Sequence, residues 1–154
     1  MTDVLNKPPM PSTPPRPTVQ RREDVLRKLT HERHLWLATS GPEGPHLIPL
    51  SYFWDGKSLL MTTKPNSRTV RNLRTEPHAR AAIGTGADVV LIDGVVHIEP
   101  AENLNPIIFR RLPLSPERVP GVVALRLPAD SVQAWRGVHE IPGRVVREDG
   151  HWLD

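Results

Sequence analysis

Hydrophobic residues first fall at helical spacing at Val25, Leu26 and Leu29, within a stretch from Val19 to Thr30 rich in Arg and Glu. That stripe predicts an amphipathic helix. The period then changes. His34 to Ser40, HLWLATS, reads as a strand, Gly41-Pro42-Glu43-Gly44 as a turn, and Pro45 to Trp54 as a second strand. Asp55-Gly56 is a hairpin signal, and Ser58 to Thr63 follows as a third strand. Pro49 cannot donate a ladder hydrogen bond, so the second strand is expected at a sheet edge or a bulge. Tyr52, Phe53 and Trp54 are consecutive and must alternate between faces, which places at least part of the set in the core.

A short run, Leu59 to Thr63, leads through Lys64-Pro65-Asn66 into a second helix, with Val70 and Leu73 on its core face and Pro77 past its end. Asn66 or Ser67 is placed to cap it. Ala79 to Gly84 predicts a short strand, Gly84-Thr85-Gly86 a turn, and Ala87 to Glu99 a long β-run bent at Gly94. Glu102 to Leu112 predicts a helix, limited by Pro106 and stopped by Pro113 and Pro116. Val119 to Pro128 and Ser131 to Trp135 predict further strands, and Arg144 to Trp152 a closing hairpin around Glu148-Asp149-Gly150. Six or more strands joined by short turns suit an antiparallel barrel, all-β to α+β in class, with a few flanking helices. There is no internal repeat.

Met1 to Thr18 departs from this pattern. The run KPPMPSTPPRP has little to bury, so residues 1–18 are expected to be a disordered, proline-rich leader, with one domain over 19–154. Removing everything before Val19 should then leave fold and binding unchanged.

Composition narrows the chemistry. The 154 residues contain no cysteine, which excludes disulfides, thiolate metal sites and a Cys nucleophile and fits a cytoplasmic protein. No apolar run is long enough to span a membrane, and there is no signal-type stretch at the start. A net charge of +3 suits nucleic acid, a bound phosphate or an acidic cofactor. No RNP-like or helix-turn-helix motif favours nucleic acid. His31 and His34 share helical spacing but lack a third ligand. Neither Ser40 nor Ser51 has a visible base, and no phosphate-loop or dinucleotide glycine motif is present.

Thr62, Thr63, Lys64, Ser67 and Arg68 cluster at the strand-to-helix joint. A helix N-terminus beside hydroxyl, ammonium and guanidinium groups can cradle a phosphate. A capped surface helix with solvated basic residues explains the same spacing equally well. Trp135, Arg144 and Trp152 punctuate the tail; a barrel-closing Trp and a surface Arg account for them on spacing alone.

From Val19 onward these pieces together resemble the pyridoxamine 5'-phosphate oxidase-like superfamily of flavin-binding split barrels. The resemblance rests on LATSGPEGPHLIPLSYFW-DG, TTKPNSRTVRNL and the terminal W…GR…W in family order. It implies a six-stranded antiparallel split barrel of Greek-key type. Thr62, Thr63, Lys64, Ser67 and Arg68 would hold the cofactor phosphate, supported by Asn72. Ile48, Pro49, Leu50 and Ser51 would lie along the isoalloxazine. Trp135 and Arg144 would reach the cofactor of the other subunit of a homodimer.

True pyridoxamine phosphate oxidases carry an Arg-x-His substrate clamp where this chain has Glu140-Ile141-Pro142-Gly143, and Thr69 replaces a basic residue after Ser-Arg. The style is closer to the branch that uses FMN or an F-420-type deazaflavin, whose anionic tail Arg71, Arg74 and Arg80 could meet. The resemblance implies an oxidoreductase acting on a small molecule, with no catalytic side chain identified and no metal. A non-enzymatic flavin or haem binding or sensing protein on the same barrel is the alternative, and nucleic-acid binding the weaker one.

Overall fold

The computed structural model describes residues 13–113 and 117–154. Helix α1, Thr18–His31, buries Val25 and Leu29. It leads into β1 (His34–Gly41) and β2 (Gly44–Ser51), joined by the expected hairpin with Gly44 at φ 101°. The second expected strand is broken at Tyr52. Its ring is buried and its hydroxyl donates to the Leu29 carbonyl oxygen at 2.8 Å, which turns the chain into a separate strand β3, Phe53–Trp54. Phe53 and Trp54 then pack on different core clusters, as alternation requires. In the β3–β4 turn, Asp55 Oδ1 accepts from the Lys57 and Ser58 amides at 2.8 and 2.6 Å. Strand β4 is Ser58–Thr63 and helix α2 is Arg68–Thr75.

Strands β5 (His78–Thr85) and β6 (Asp88–Val95) form the next hairpin. The long run beyond Ala87 bends, but the break falls at buried Val96, whose amide donates to the Pro77 carbonyl. Strand β7, His97–Pro100, continues beyond it in the other sheet. The helix expected over 102–112 is reduced to a 3₁₀ turn, Ala101–Asn103, and a single turn α3, Pro106–Phe109. Pro106 sits in the first turn, where Asn105 caps the Ile107 amide, so the helix cannot extend backwards. Strands β8 (Val123–Pro128), β9 (Val132–Trp135), β10 (Val145–Glu148) and β11 (His151–Trp152) complete the chain.

All pairings are antiparallel. Two sheets form, one of seven strands in the order β11-β10-β9-β6-β5-β1-β2 and one of four, β3-β4-β8-β7. The antiparallel, mostly β architecture with few helices is as expected, but the two sheets of seven and four strands correct the expectation of a six-stranded split barrel, and no closed barrel forms among the described residues. The chain changes sheets four times, at Tyr52, through α2 between β4 and β5, at Val96 and between β8 and β9, so two sheets share corners instead of one sheet closing on itself. β2 is an edge strand, as Pro49 requires. A core of Leu35, Leu37, Leu59, Met61, Ile83, Ile92, Leu125 and Leu127 fills the space between the sheets, with Val70 and Leu73 closing it from α2.

Residues 1–12 of the expected leader lie outside the described residues. Arg16, however, is bound into the fold: its backbone amide, Nε and Nη2 all donate to the carboxylate of Glu140, at 2.9, 2.9 and 2.7 Å.

Candidate cofactor site

The joint between β4 and α2 gathers the hydroxyl and basic side chains singled out in the sequence. Ser67 is the cap: its Oγ accepts from the Val70 amide at 3.2 Å and from Thr63 Oγ1 at 3.4 Å. Thr62 is buried at the end of β4, paired opposite Ala124, while Lys64 is exposed. Arg68 opens the helix, with its side chain 35% exposed and its Nε 3.6 Å from Glu43. The first-turn N–H groups have no partner inside the helix. A cleft of about 210 Å³ runs along the side of α2, lined by Pro42, Glu43, Arg68, Arg71, Asn72 and Thr75, and Arg68 is the joint residue that faces it.

Asn72 has a scaffold task. It is buried, its Nδ2 donates to Thr39 Oγ1 at 3.2 Å, and its Oδ1 lies 2.1 Å from where a Cβ on Gly41 would stand. It ties α2 to the β1–β2 hairpin and can help the joint only by placing the helix. Gly41 is required there by close approach.

β2 runs along the sheet edge from this hairpin. Pro49 and Ser51 are exposed; Ile48 and Leu50 are half-buried, with Leu50 against the core. One row of strand N–H and C=O groups faces away from β1, which Pro49 leaves one donor short. At its far end, Ser51 opens on a cleft of about 690 Å³ that also meets Arg33, His34, Trp54 and Arg111. On the outer face of the sheet Trp36 lies between Pro49 and Ala82, and Ala38 opposite Leu47. Trp36 and Leu47 remain 49% and 60% exposed, an apolar band open to solvent.

Trp135 and Arg144 stand apart from the joint within one chain. Trp135 ends β9, opposite Val89, and β9 is separated from β1 by β5 and β6, about 14 Å at ordinary strand spacing. Arg144 is exposed, donating through Nε to Gln133 Oε1 at 2.8 Å and through Nη1 to the Ile141 carbonyl at 3.0 Å.

Other polar residues have structural partners. Asp88 pairs with Lys28 and Arg136, Asp93 with Arg80, and Glu99 with Arg126. His31 Nδ1 lies 2.8 Å from the Arg27 carbonyl oxygen. Among the described residues no three His, Asp or Glu side chains converge as metal ligands.

Two features escaped the sequence reading. Glu43 sits in a turn, and nothing local announces that it meets Arg68. Glu140 is fully buried beside Arg16, Arg21 and Arg136 N–H, and Arg16 hides in a proline-rich run. Hydrogen bonds from Arg16 outweigh burial and hold the Glu140 carboxyl at about 2. For Asp24, burial pushes upward, but Arg16, Gln20 and Arg136 win and its carboxyl is held low as well.

Comparison with known proteins follows this geometry. A family model described as Pyridoxamine 5'-phosphate oxidase matches residues 22–136. No curated protein matches the sequence significantly. Among solved structures, a conserved hypothetical protein from Mycobacterium tuberculosis is 23% identical, covering 79% of this chain and 86% of its own, with a TM-score of 0.62. An F-420 reductase is 19% identical over 69% of this chain and 93% of its own, TM-score 0.56. A FAD-binding protein from Mesorhizobium loti is 18% identical over 73% and 91%, TM-score 0.57. At these identities the structural likenesses speak to the fold, while the family match spans most of the sequence, both sheets and the β4–α2 joint; the chain belongs to the pyridoxamine 5'-phosphate oxidase family.

Proposed function

We propose that this chain is an oxidoreductase that passes hydride or electrons to a small molecule through a bound flavin-type cofactor, FMN or an F-420-type deazaflavin. The observation that carries the reading is the β4–α2 joint in a member of this family. Thr63, Lys64, Ser67 and Arg68 surround a helix N-terminus, and among the described residues Arg68 is held by one long contact to an exposed glutamate. That donor set fits a phosphate: two hydroxyls, two cations and first-turn N–H groups, with Glu43 the one opposing charge.

Arg68 and Lys64 would bind the phosphate, and Ser67 would keep α2 pointed at it. Thr62 would back the joint from the end of β4. The edge of β2, Ile48 to Ser51, would hold the ring through backbone groups. Once bound, a flavin or deazaflavin supplies the redox chemistry itself. No side chain is assigned as acid or base.

The reading includes a homodimer. The exposed band of Trp36, Leu47 and Pro49 is the kind of apolar surface that a second copy covers. Trp135 and Arg144, too far from their own joint, would complete the partner's site. Pyridoxal phosphate synthesis is not part of the proposal. Glu140, where the family's clamp begins, is buried and bound to Arg16.

The test is titration of the purified protein with FMN and with the deazaflavin, followed by fluorescence, then turnover with a reductant and an acceptor. Tight binding of one of them with turnover is expected. Binding without turnover would make the protein a carrier or sensor, and binding of neither would overturn the cofactor site.

A further inference from the structure

The loop between Trp135 and Arg144 is held from the opposite end of the chain. Its centre is a short 3₁₀ segment, Val138–Gly143, flanked by Gly137 and containing Pro142. Glu140 in that segment has a fully buried side chain. One of its oxygens accepts from the backbone N–H of Arg136, next to Trp135, at 2.8 Å, and also from Arg16 Nη2 at 2.7 Å. The other accepts from Arg16 N and Nε, both at 2.9 Å. At the far end of the loop, Arg21 Nη1 donates to the carbonyl of Gly143 at 2.5 Å, immediately before Arg144. Both ends of the loop are therefore pinned to α1 and the residues just ahead of it. Asp24 completes the knot, 3.0 Å from Arg16 and 3.5 Å from Arg136.

The pinning has a consequence for Arg144. With the Gly143 carbonyl fixed, its guanidinium is aimed outward and steadied by Gln133 and the Ile141 carbonyl, which leaves Nη2 without a protein partner among the described residues. An exposed arginine steadied in this way is pre-organised for an anionic or carbonyl group outside its own chain.

We propose that Arg16 and Glu140 are positioning residues that aim Trp135 and Arg144 at the cofactor, an inference that rests on the reading of those two residues as cofactor contacts. Arg16 touches no cofactor itself; it acts through the loop. Residues next to the proline-rich start thereby set the affinity of a site formed by the end of the chain.

The experiment is a double-mutant cycle read by FMN titration, with amide hydrogen exchange on the cofactor-free protein as a second measurement. The paired change Arg16→Met with Glu140→Gln removes both charges while leaving an acceptor for the Arg136 amide. Arg16→Lys, which keeps the charge and loses the fork, covers the case in which the pair does not fold. Either is expected to weaken FMN binding about tenfold and to speed exchange of the Arg136 amide at least tenfold. In a background carrying both Trp135→Ala and Arg144→Ala the same change should weaken FMN by less than about twofold, because the residues it acts through are gone. Full additivity, or unchanged Arg136 exchange, would overturn the positioning role. Wild-type FMN affinity in Arg144→Ala alone would instead overturn the reading of Arg144, and the role assigned to the knot with it.

Discussion

Arg16 precedes α1 and Arg68 opens α2, and each meets a glutamate from elsewhere in the chain. Their settings differ. Arg16 and Glu140 approach to 2.7 Å with side chains 14% and 0% exposed; Arg68 and Glu43 stay 3.6 Å apart at 35% and 76%. A buried carboxylate is tolerable only if its lone pairs are taken, and those of Glu140 are, by four donors. Those groups are consumed and can bind nothing else. The Arg68 pair is wet and loosely made, so an incoming phosphate has little to displace. Similar residue types thus make a rivet in one place and a loose, exposed pair in the other, which the proposed function reads as an open seat, and burial decides which.

The most forceful way to break this comparison is to cut each pair. Glu140→Ala strands Arg16 and the Arg136 amide and should lower stability by about 3–5 kcal/mol, the usual effect of removing one partner of a buried pair. Glu43→Ala should shift stability by less than about 0.5 kcal/mol. Denaturation midpoints of the two variants measure both. Equal shifts would show that the two pairs are of one kind.

Acid separates the pairs without mutation. The Glu140 carboxyl titrates near 2 in the fold, against an ordinary value of 4.5. The folded value is the lower one, so the stabilisation is fully present above pH 4.5 and is lost as pH falls toward 2. Up to about 3 kcal/mol is at stake by proton linkage. Asp24 is lowered too and acts in the same direction. Unfolding free energy measured from pH 6 to 2.5 should fall steeply in the wild type and less in Glu140→Gln; parallel curves would rule out Glu140 as the source.

How much of this was readable from the chain follows the same division. Helix α1, the β1–β2 hairpin, the Asp55-Gly56 turn and the Ser67 cap were legible because each depends on residues a few positions apart. The strand breaks at Tyr52 and Val96 were not. Tyr52 leaves its strand for a carbonyl in α1, and Val96 for Pro77, and neither partner is local. The helix over 102–112 shrank although Pro106 had marked its start, because a helix begun there had only a few residues left to run. Arg16 lies 124 positions from Glu140, beyond the reach of any periodicity. The hydroxyl and basic cluster at the joint was visible as a set; the Glu43 contact, 25 positions away, was not. The part proposed for Trp135 and Arg144 comes from resemblance alone, and in one chain β9 is separated from β1 by two strands.

On the binding side, Arg68→Ala should weaken FMN by about 2 kcal/mol, roughly thirtyfold, the loss expected for a charge-assisted phosphate contact. The melting temperature should barely move, since the guanidinium is partly exposed and among the described residues supports one long ion pair. Glu140→Ala differs in its stability loss of about 3–5 kcal/mol, which accompanies the roughly tenfold loss of FMN affinity expected from breaking the knot. Wild-type affinity in a folded Arg68→Ala protein would remove the joint as the phosphate seat.

The smallest effect is also the sharpest discriminator. If Arg68 is an open seat, Glu43 is its mild competitor, holding the guanidinium back and repelling an anion across the same cleft. Glu43→Gln keeps the size and removes the charge. It should therefore tighten FMN binding by about 0.5 kcal/mol, two- to threefold, with the gain fading as salt rises because the pair is exposed. A loss of affinity would mean that Glu43 orients Arg68 for the phosphate, which would make the second pair a positioning device like the first, and the contrast between rivet and seat would fail.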